Sequence, residues 1–101
     1  MQFLLIAHDG TDDAAPERRR RARAAHIALG DEMAAEGRML FGTAILDDRD
    51  AMIGSMLVLD FPSRDELDAW LQVEPYVVGD VWRTVEVQPC RVGPSFTART
   101  P

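Results

Sequence analysis

His26 sits in the run Ala22-Arg23-Ala24-Ala25-His26-Ile27-Ala28-Leu29. An imidazole, with an ordinary pKa of about 6.5, is the side chain best suited to carry protons near neutral pH. Ala22, Ala25, Leu29 and Met33 recur at the spacing of one helical stripe, and His26 falls inside it. A histidine that moves protons needs a carboxylate to fix its tautomer, and two stand at element boundaries: Asp9 after an apolar run and Glu74 before Pro75. Ser55 and Tyr76 offer hydroxyls to the same region. A lone histidine on an apolar stripe equally fits a core position bonded to a backbone carbonyl. The choice turns on whether the elements of the chain bring partners to it.

Residues 2–8 are apolar at odd and even positions alike, as in a central strand covered on both faces. A turn at Asp9-Gly10-Thr11-Asp12-Asp13 leads to a helix with Pro16 in its first turn, running to about Glu36 and closed by Gly37. Arg38 to Leu46 reads as a second strand and Met52 to Phe61 as a third, again apolar on both faces. Ser63-Arg64-Asp65-Glu66 is a capping box that starts a second helix, with Leu67, Trp70 and Leu71 as its apolar stripe. Glu74-Pro75 ends that helix, because the residue before proline is pushed out of helical angles. Residues 76–82 are then expected to be a turn, and Arg83 to Arg91 an edge strand, since Pro89 lies in it.

The order strand-helix-strand-strand-helix-strand, with right-handed crossovers, predicts an α+β ferredoxin-like βαββαβ fold of sheet order 4-1-3-2, with both helices on one face. Residues 1–92 form the single domain and residues 93–101 a loosely held tail. In this topology Asp9, the upper part of the first helix with His26, the end of the second helix with Glu74, and Tyr76 meet at one end of the sheet. Ser55 lies at the same end, on a face the sequence leaves undetermined. The central strands are apolar on the face without helices as well, so the chain is expected to form a homodimer through that face.

The net charge of −6 argues against a nucleic-acid partner. The run Arg18-Arg19-Arg20-Arg21 with Arg23 is expected to be a solvated helix face overhanging the sheet, balanced by Asp12, Asp13 and Glu17. With no lysine in the chain, Schiff-base and pyridoxal-phosphate chemistry are excluded. Cys90 is the single cysteine, so no internal disulfide forms. One histidine with one or two carboxylates falls short of the three or four ligands of a stable metal site, so no metal and no cofactor are expected. No stretch has the length and apolarity of a membrane span or the pattern of a secretion signal, so the protein is expected to stay in the cytoplasm.

Ile6-Ala7-His8-Asp9, Ala25-His26-Ile27, Glu36-Gly37-Arg38-Met39-Leu40, Gly42, Gly54-Ser55, Glu74-Pro75-Tyr76 and Val87-Gln88-Pro89 occur in an order and spacing that resemble the YciI family of YCII-related proteins, nearly from end to end. The resemblance implies a ferredoxin-like dimer of the dimeric α/β-barrel type, with a cleft that holds a catalytic histidine and aspartate, here His26 and Asp9. It further implies cofactor-free elimination or isomerisation of a small, activated organic molecule, aromatic ones included. His26 would act as base, Asp9 would orient it, and Glu74, Tyr76 and Ser55 would line the binding site. The family's usual Asp-Pro-Tyr stands here as Glu74-Pro75-Tyr76, one methylene longer, and His8 matches no family motif. The other reading is a non-catalytic dimer that binds a small ligand or regulates through it.

Overall fold

The computed structural model describes residues 1–96. The elements are β1 Gln2–Asp9, α1 Ala15–Ala35, β2 Met39–Leu46, β3 Met52–Asp60, α2 Arg64–Leu71, α3 Pro75–Val78 and β4 Trp82–Cys90, followed by a short 3₁₀ turn at Pro94–Phe96. The sheet is antiparallel in the order β2-β3-β1-β4, the ferredoxin-like order expected from the sequence. Residues 97–101, most of the expected tail, lie outside the described residues. Among the described residues no helix is long and apolar enough to cross a membrane.

Period-2 alternation divides the two central strands. Phe3, Leu5 and Ala7 of β1 pair with Leu59, Leu57 and Ser55 of β3 and face the helices. With Met33, Phe61, Leu67, Trp70, Tyr76, Val81 and Trp82 they make the buried core. Leu4, Ile6, Met56 and Val58 take the opposite face, where they are only half buried. Phe41 of β2, opposite Val58, extends that face and is exposed.

Helix α1 ends in a Schellman turn. Gly37 has φ +77°, the Arg38 N–H donates to the Met33 carbonyl at 2.8 Å, and the Gly37 N–H donates to that of Ala34 at 3.1 Å. The stripe that α1 turns toward the sheet is Ala15, Arg19, Ala22, His26, Leu29 and Met33, at steps of four and three. Ala25, expected in this stripe, is exposed.

Two expectations about the second helix need correction. α2 stops at Leu71, and Tyr76, Val77 and Val78, read from sequence as the start of the turn 76–82, belong to the helical turn α3, Pro75–Val78. Pro75 explains both facts: it forces Glu74 into an extended conformation (φ −62°, ψ 123°) and its own fixed φ then suits the first position of a new helix. Glu74 is the N-cap of α3, its carboxylate accepting the Tyr76 N–H.

Candidate active site

α1 carries Arg19 and His26 seven residues apart on its buried stripe, so both point at the helix-covered face of the sheet. The expectation of a wholly solvated arginine run fails at Arg19, which is 7% exposed. Its Nη1 donates to both Asp9 oxygens, at 2.9 and 2.8 Å, and its Nη2 to the Gly54 carbonyl at 3.2 Å and Ser55 Oγ at 3.3 Å. A buried guanidinium is tolerable only with such partners. The other arginines of the run do stay outside, with Arg18 on Asp12 and Arg20 and Arg21 on Glu17. The Arg18 guanidinium, bonded to the Asp12 carboxylate, holds that carboxyl well below the usual range.

His26 is therefore not paired with Asp9, whose carboxylate Arg19 already occupies. Its Nδ1 lies 2.5 Å from Glu74 Oε1. That oxygen also accepts the Tyr76 N–H at 3.0 Å, so it is an acceptor, and the imidazole must donate from Nδ1. In the neutral ring this network leaves Nε2 with a free lone pair. Nε2 makes no hydrogen bond among the described residues. Glu74 is 1% exposed and the His26 side chain 17% exposed, so the carboxylate is sealed while the ring keeps one edge open.

Aromatic packing fixes the ring plane. The His26 imidazole stacks on Tyr76 with centroids 3.8 Å apart and planes 10° from parallel, and the Trp82 indole meets it edge-on at 5.8 Å. Tyr76 is 2% exposed and belongs to the core cluster as Trp70 does, while its ring also lines the cleft. Burial raises the Tyr76 pKa above its ordinary value, with Arg19 and Arg23 pulling the other way. The Arg19 guanidinium carbon lies 4.8 Å from the Tyr76 ring centre.

Ser55, whose face the sequence left open, points to the helices and is buried. Its Oγ accepts from Trp82 Nε1 at 3.1 Å as well as from Arg19. Trp82 and Arg19 are the residues of this cluster that sequence reading missed. A signal for Arg19 existed, since it continues the His26 stripe by two turns. None existed for Trp82: β1 and β4 shift register between His8 and Asp9, so strict alternation from Val85 and Val87 would put residue 82 on the wrong face.

A cavity of about 290 Å³ opens between α1 and strands β2 and β3, with His26, Tyr76, Ser55 and Arg19 on its walls beside Ile27, Met39 and Leu57. Asp9 lies on a second, larger cavity of about 600 Å³ at the end of the sheet, and Arg19 borders both. Of the candidates read from sequence, His26, Glu74 and Tyr76 thus form one contiguous group, and Asp9 and Ser55 are joined to it through Arg19. His8 is exposed at the strand end. Among the described residues no three His, Cys, Asp or Glu side chains converge at metal-binding distance.

The fold defines a small α+β protein with an antiparallel ferredoxin-like sheet, and sequence comparison gives its family. The YCII-related domain matches residues 1–91, and the chain belongs to that family. Protein YciI of Escherichia coli O6:H1 and protein YciI of Shigella flexneri are each 30% identical over 95 residues, which cover 88% of this chain and 95% of theirs. Among solved structures, 5-chloro-2-hydroxyhydroquinone dehydrochlorinase from Burkholderia phenoliruptrix AC1100, in complex with 2,5-dihydroxybenzoquinone, superimposes with a TM-score of 0.78. It is 25% identical, over 94% of this chain and 98% of that one. It has the dimeric α/β-barrel type of fold expected here.

Proposed function

We propose that this protein is a cofactor-free acid/base enzyme that performs an elimination or isomerisation on a small organic molecule, with His26 as the general base. The observation that carries the reading is the buried Glu74 carboxylate 2.5 Å from His26 Nδ1, which in the neutral ring leaves the Nε2 lone pair free, on a side chain that lines the cleft. A base needs this arrangement: a fixed ring, a fixed tautomer and a second nitrogen open to the substrate. His26 Nε2 would take a proton from an acidic C–H or O–H of the substrate. The released electron pair would then either expel a leaving anion or return to a proton at another position. Glu74 stabilises the imidazolium formed in that step. Asp9, read from the family resemblance as the partner of His26, serves instead to anchor Arg19, and Tyr76 and Ser55 hold the walls. The dehydrochlorinase acting on a hydroxylated chloroaromatic ring supports this reaction class, since loss of hydrogen chloride is an elimination that begins with a base.

The enzyme reading is tested by chloride release from 5-chloro-2-hydroxyhydroquinone and related halogenated phenols. Wild-type protein should turn over at least one of them, and His26→Ala should lose on the order of 10²–10⁴-fold. Binding of these molecules without any turnover would instead favour the non-catalytic ligand-binding alternative.

The same reading includes a homodimer through the helix-free sheet face. Leu4, Ile6, Phe41, Met56 and Val58 make it apolar and only half covered, an arrangement that favours a second copy over water. Sedimentation should give twice the chain mass at micromolar concentration, and Val58→Glu should give the monomer; a wild-type monomer would overturn this part. The protein is proposed to work in the cytoplasm.

A further inference from the structure

The two cavities beside α1 share three walls: Arg19, Arg23 and Met52. Arg23 precedes His26 by three residues, so the two are neighbours on the helix surface, with roughly 5–6 Å between their Cβ atoms. Arg19 is paired with Asp9, Arg20 shares Glu17 with Arg21, and Asp12 is paired with Arg18. Arg23 makes no ion pair and no hydrogen bond among the described residues. The other unmatched charge on these walls is Asp47, whose Oδ1 accepts the Arg49 and Ala51 N–H groups and so caps the β2–β3 turn. One unmatched guanidinium therefore stands where the two cavities meet, next to the base.

We propose that Arg23 holds the anionic group of the substrate, and that the substrate is a small organic acid. Its carboxylate, or a vinylogous carboxylate, lies beside Arg23 at the mouth of the larger cavity, while its apolar part lies in the smaller cavity against Ile27, Met39 and Leu57. This inference rests on the reading of the smaller cavity as the reaction site and adds the substrate class to it. A single planar guanidinium matches a carboxylate with two parallel hydrogen bonds. Asp47, on the wall of the larger cavity, repels the second negative charge that a phosphate monoester would bring. The cavities, about 600 and 290 Å³, suit a molecule the size of a substituted benzoate. Binding the acid beside the base also fixes the distance between its charged group and the proton that leaves.

The test compares 2,5-dihydroxybenzoate with its neutral amide, two probes of the same shape, titrated into the intact protein and followed by NMR. Wild-type protein should bind the acid about tenfold more tightly than the amide at low ionic strength, and salt should shrink the difference. Arg23→Gln should bring the ratio to about one, chiefly by weakening binding of the acid, and Arg23→Lys should restore part of the preference. Arg23 is exposed, so neither variant disturbs the core. A ratio that survives Arg23→Gln, equal affinities in the wild type, or binding of neither probe would overturn the proposal. The same titration in His26→Gln separates it from the catalytic reading. There the preference for the acid should persist, whether or not the wild type shows any turnover. Turnover without a preference would sink this inference alone.

Discussion

Glu74 Oε1 and His26 Nδ1 meet at 2.5 Å across 48 residues of chain, with Glu74 buried and the imidazole stacked on Tyr76. Neutral His26 should accordingly populate the Nδ1–H tautomer, which nitrogen chemical shifts of the imidazole report directly. Glu74→Ala removes the acceptor shared by the ring and the Tyr76 N–H, so it should relax the tautomer preference and cost about 1–3 kcal/mol of stability. Turnover, where found, should fall on the order of a hundredfold or more. An unchanged tautomer in Glu74→Ala would show that the carboxylate does not orient the ring.

Tyr76 is the only tyrosine of the chain, so the near-ultraviolet absorbance of its phenolate reads one site. Burial raises its pKa in the folded state, against about 10 for an exposed phenol. Above pH ~10 the unfolded chain loses the proton first. Stability should therefore be intact below that pH and fall as pH rises beyond it. The phenolate should appear late and in step with unfolding, and Tyr76→Phe should remove this part of the alkaline loss. An ordinary titration at pH ~10 with the fold still intact would place the hydroxyl in solvent.

Gly54 and Ser55 build the floor of the site in different ways. A Cβ on Gly54 would lie 2.5 Å from the Ala7 carbonyl oxygen, an atom of the neighbouring strand that cannot turn aside. Gly54→Ala should therefore open the β1–β3 pairing and lower the melting temperature by several degrees. Ser55→Ala keeps the backbone but leaves the buried Trp82 N–H without its acceptor, at a cost of about 1–3 kcal/mol. Unfolding midpoints for the two variants, with Trp82 fluorescence as a local probe, test both expectations. Wild-type stability in Gly54→Ala would mean that the strands do not approach this closely.

The fold was legible because each strand and helix has one strong local signal: the two-sided apolar runs 2–8 and 52–61, the capping box at Ser63, and Gly37 after α1. The site was legible as a region for the same reason, since element order alone brings Asp9, His26 and Glu74 to one end of the sheet. Which carboxylate meets the imidazole was not legible. That depends on Arg19 claiming Asp9, and an arginine in a run of four reads as solvated unless its place on the stripe is given more weight than its neighbours. It depends equally on Pro75 making Glu74 an N-cap, which folds the longer side chain back toward α1. Trp82 stayed hidden because a register shift is a property of two paired strands, and neither strand shows it alone.

The pairing of Asp9 with Arg19 can be separated from any pairing with His26. Both side chains are almost fully buried, at 6% and 8% exposure, so removing either one leaves the other charge without its partner inside the protein. Asp9→Leu and Arg19→Met should each cost about 3–5 kcal/mol in urea unfolding. The double variant should cost clearly less than the sum of the two, because no unpaired charge remains; the hydrogen bonds of Arg19 to Gly54 and Ser55 and its contact with Tyr76 stay lost. The milder Asp9→Asn keeps the shape and removes the charge. It should destabilise the fold while leaving the His26 tautomer as in the wild type, because Glu74 still holds Nδ1. A change of tautomer in Asp9→Asn with no loss of stability would give Asp9 back to His26 and overturn the assignment of Glu74.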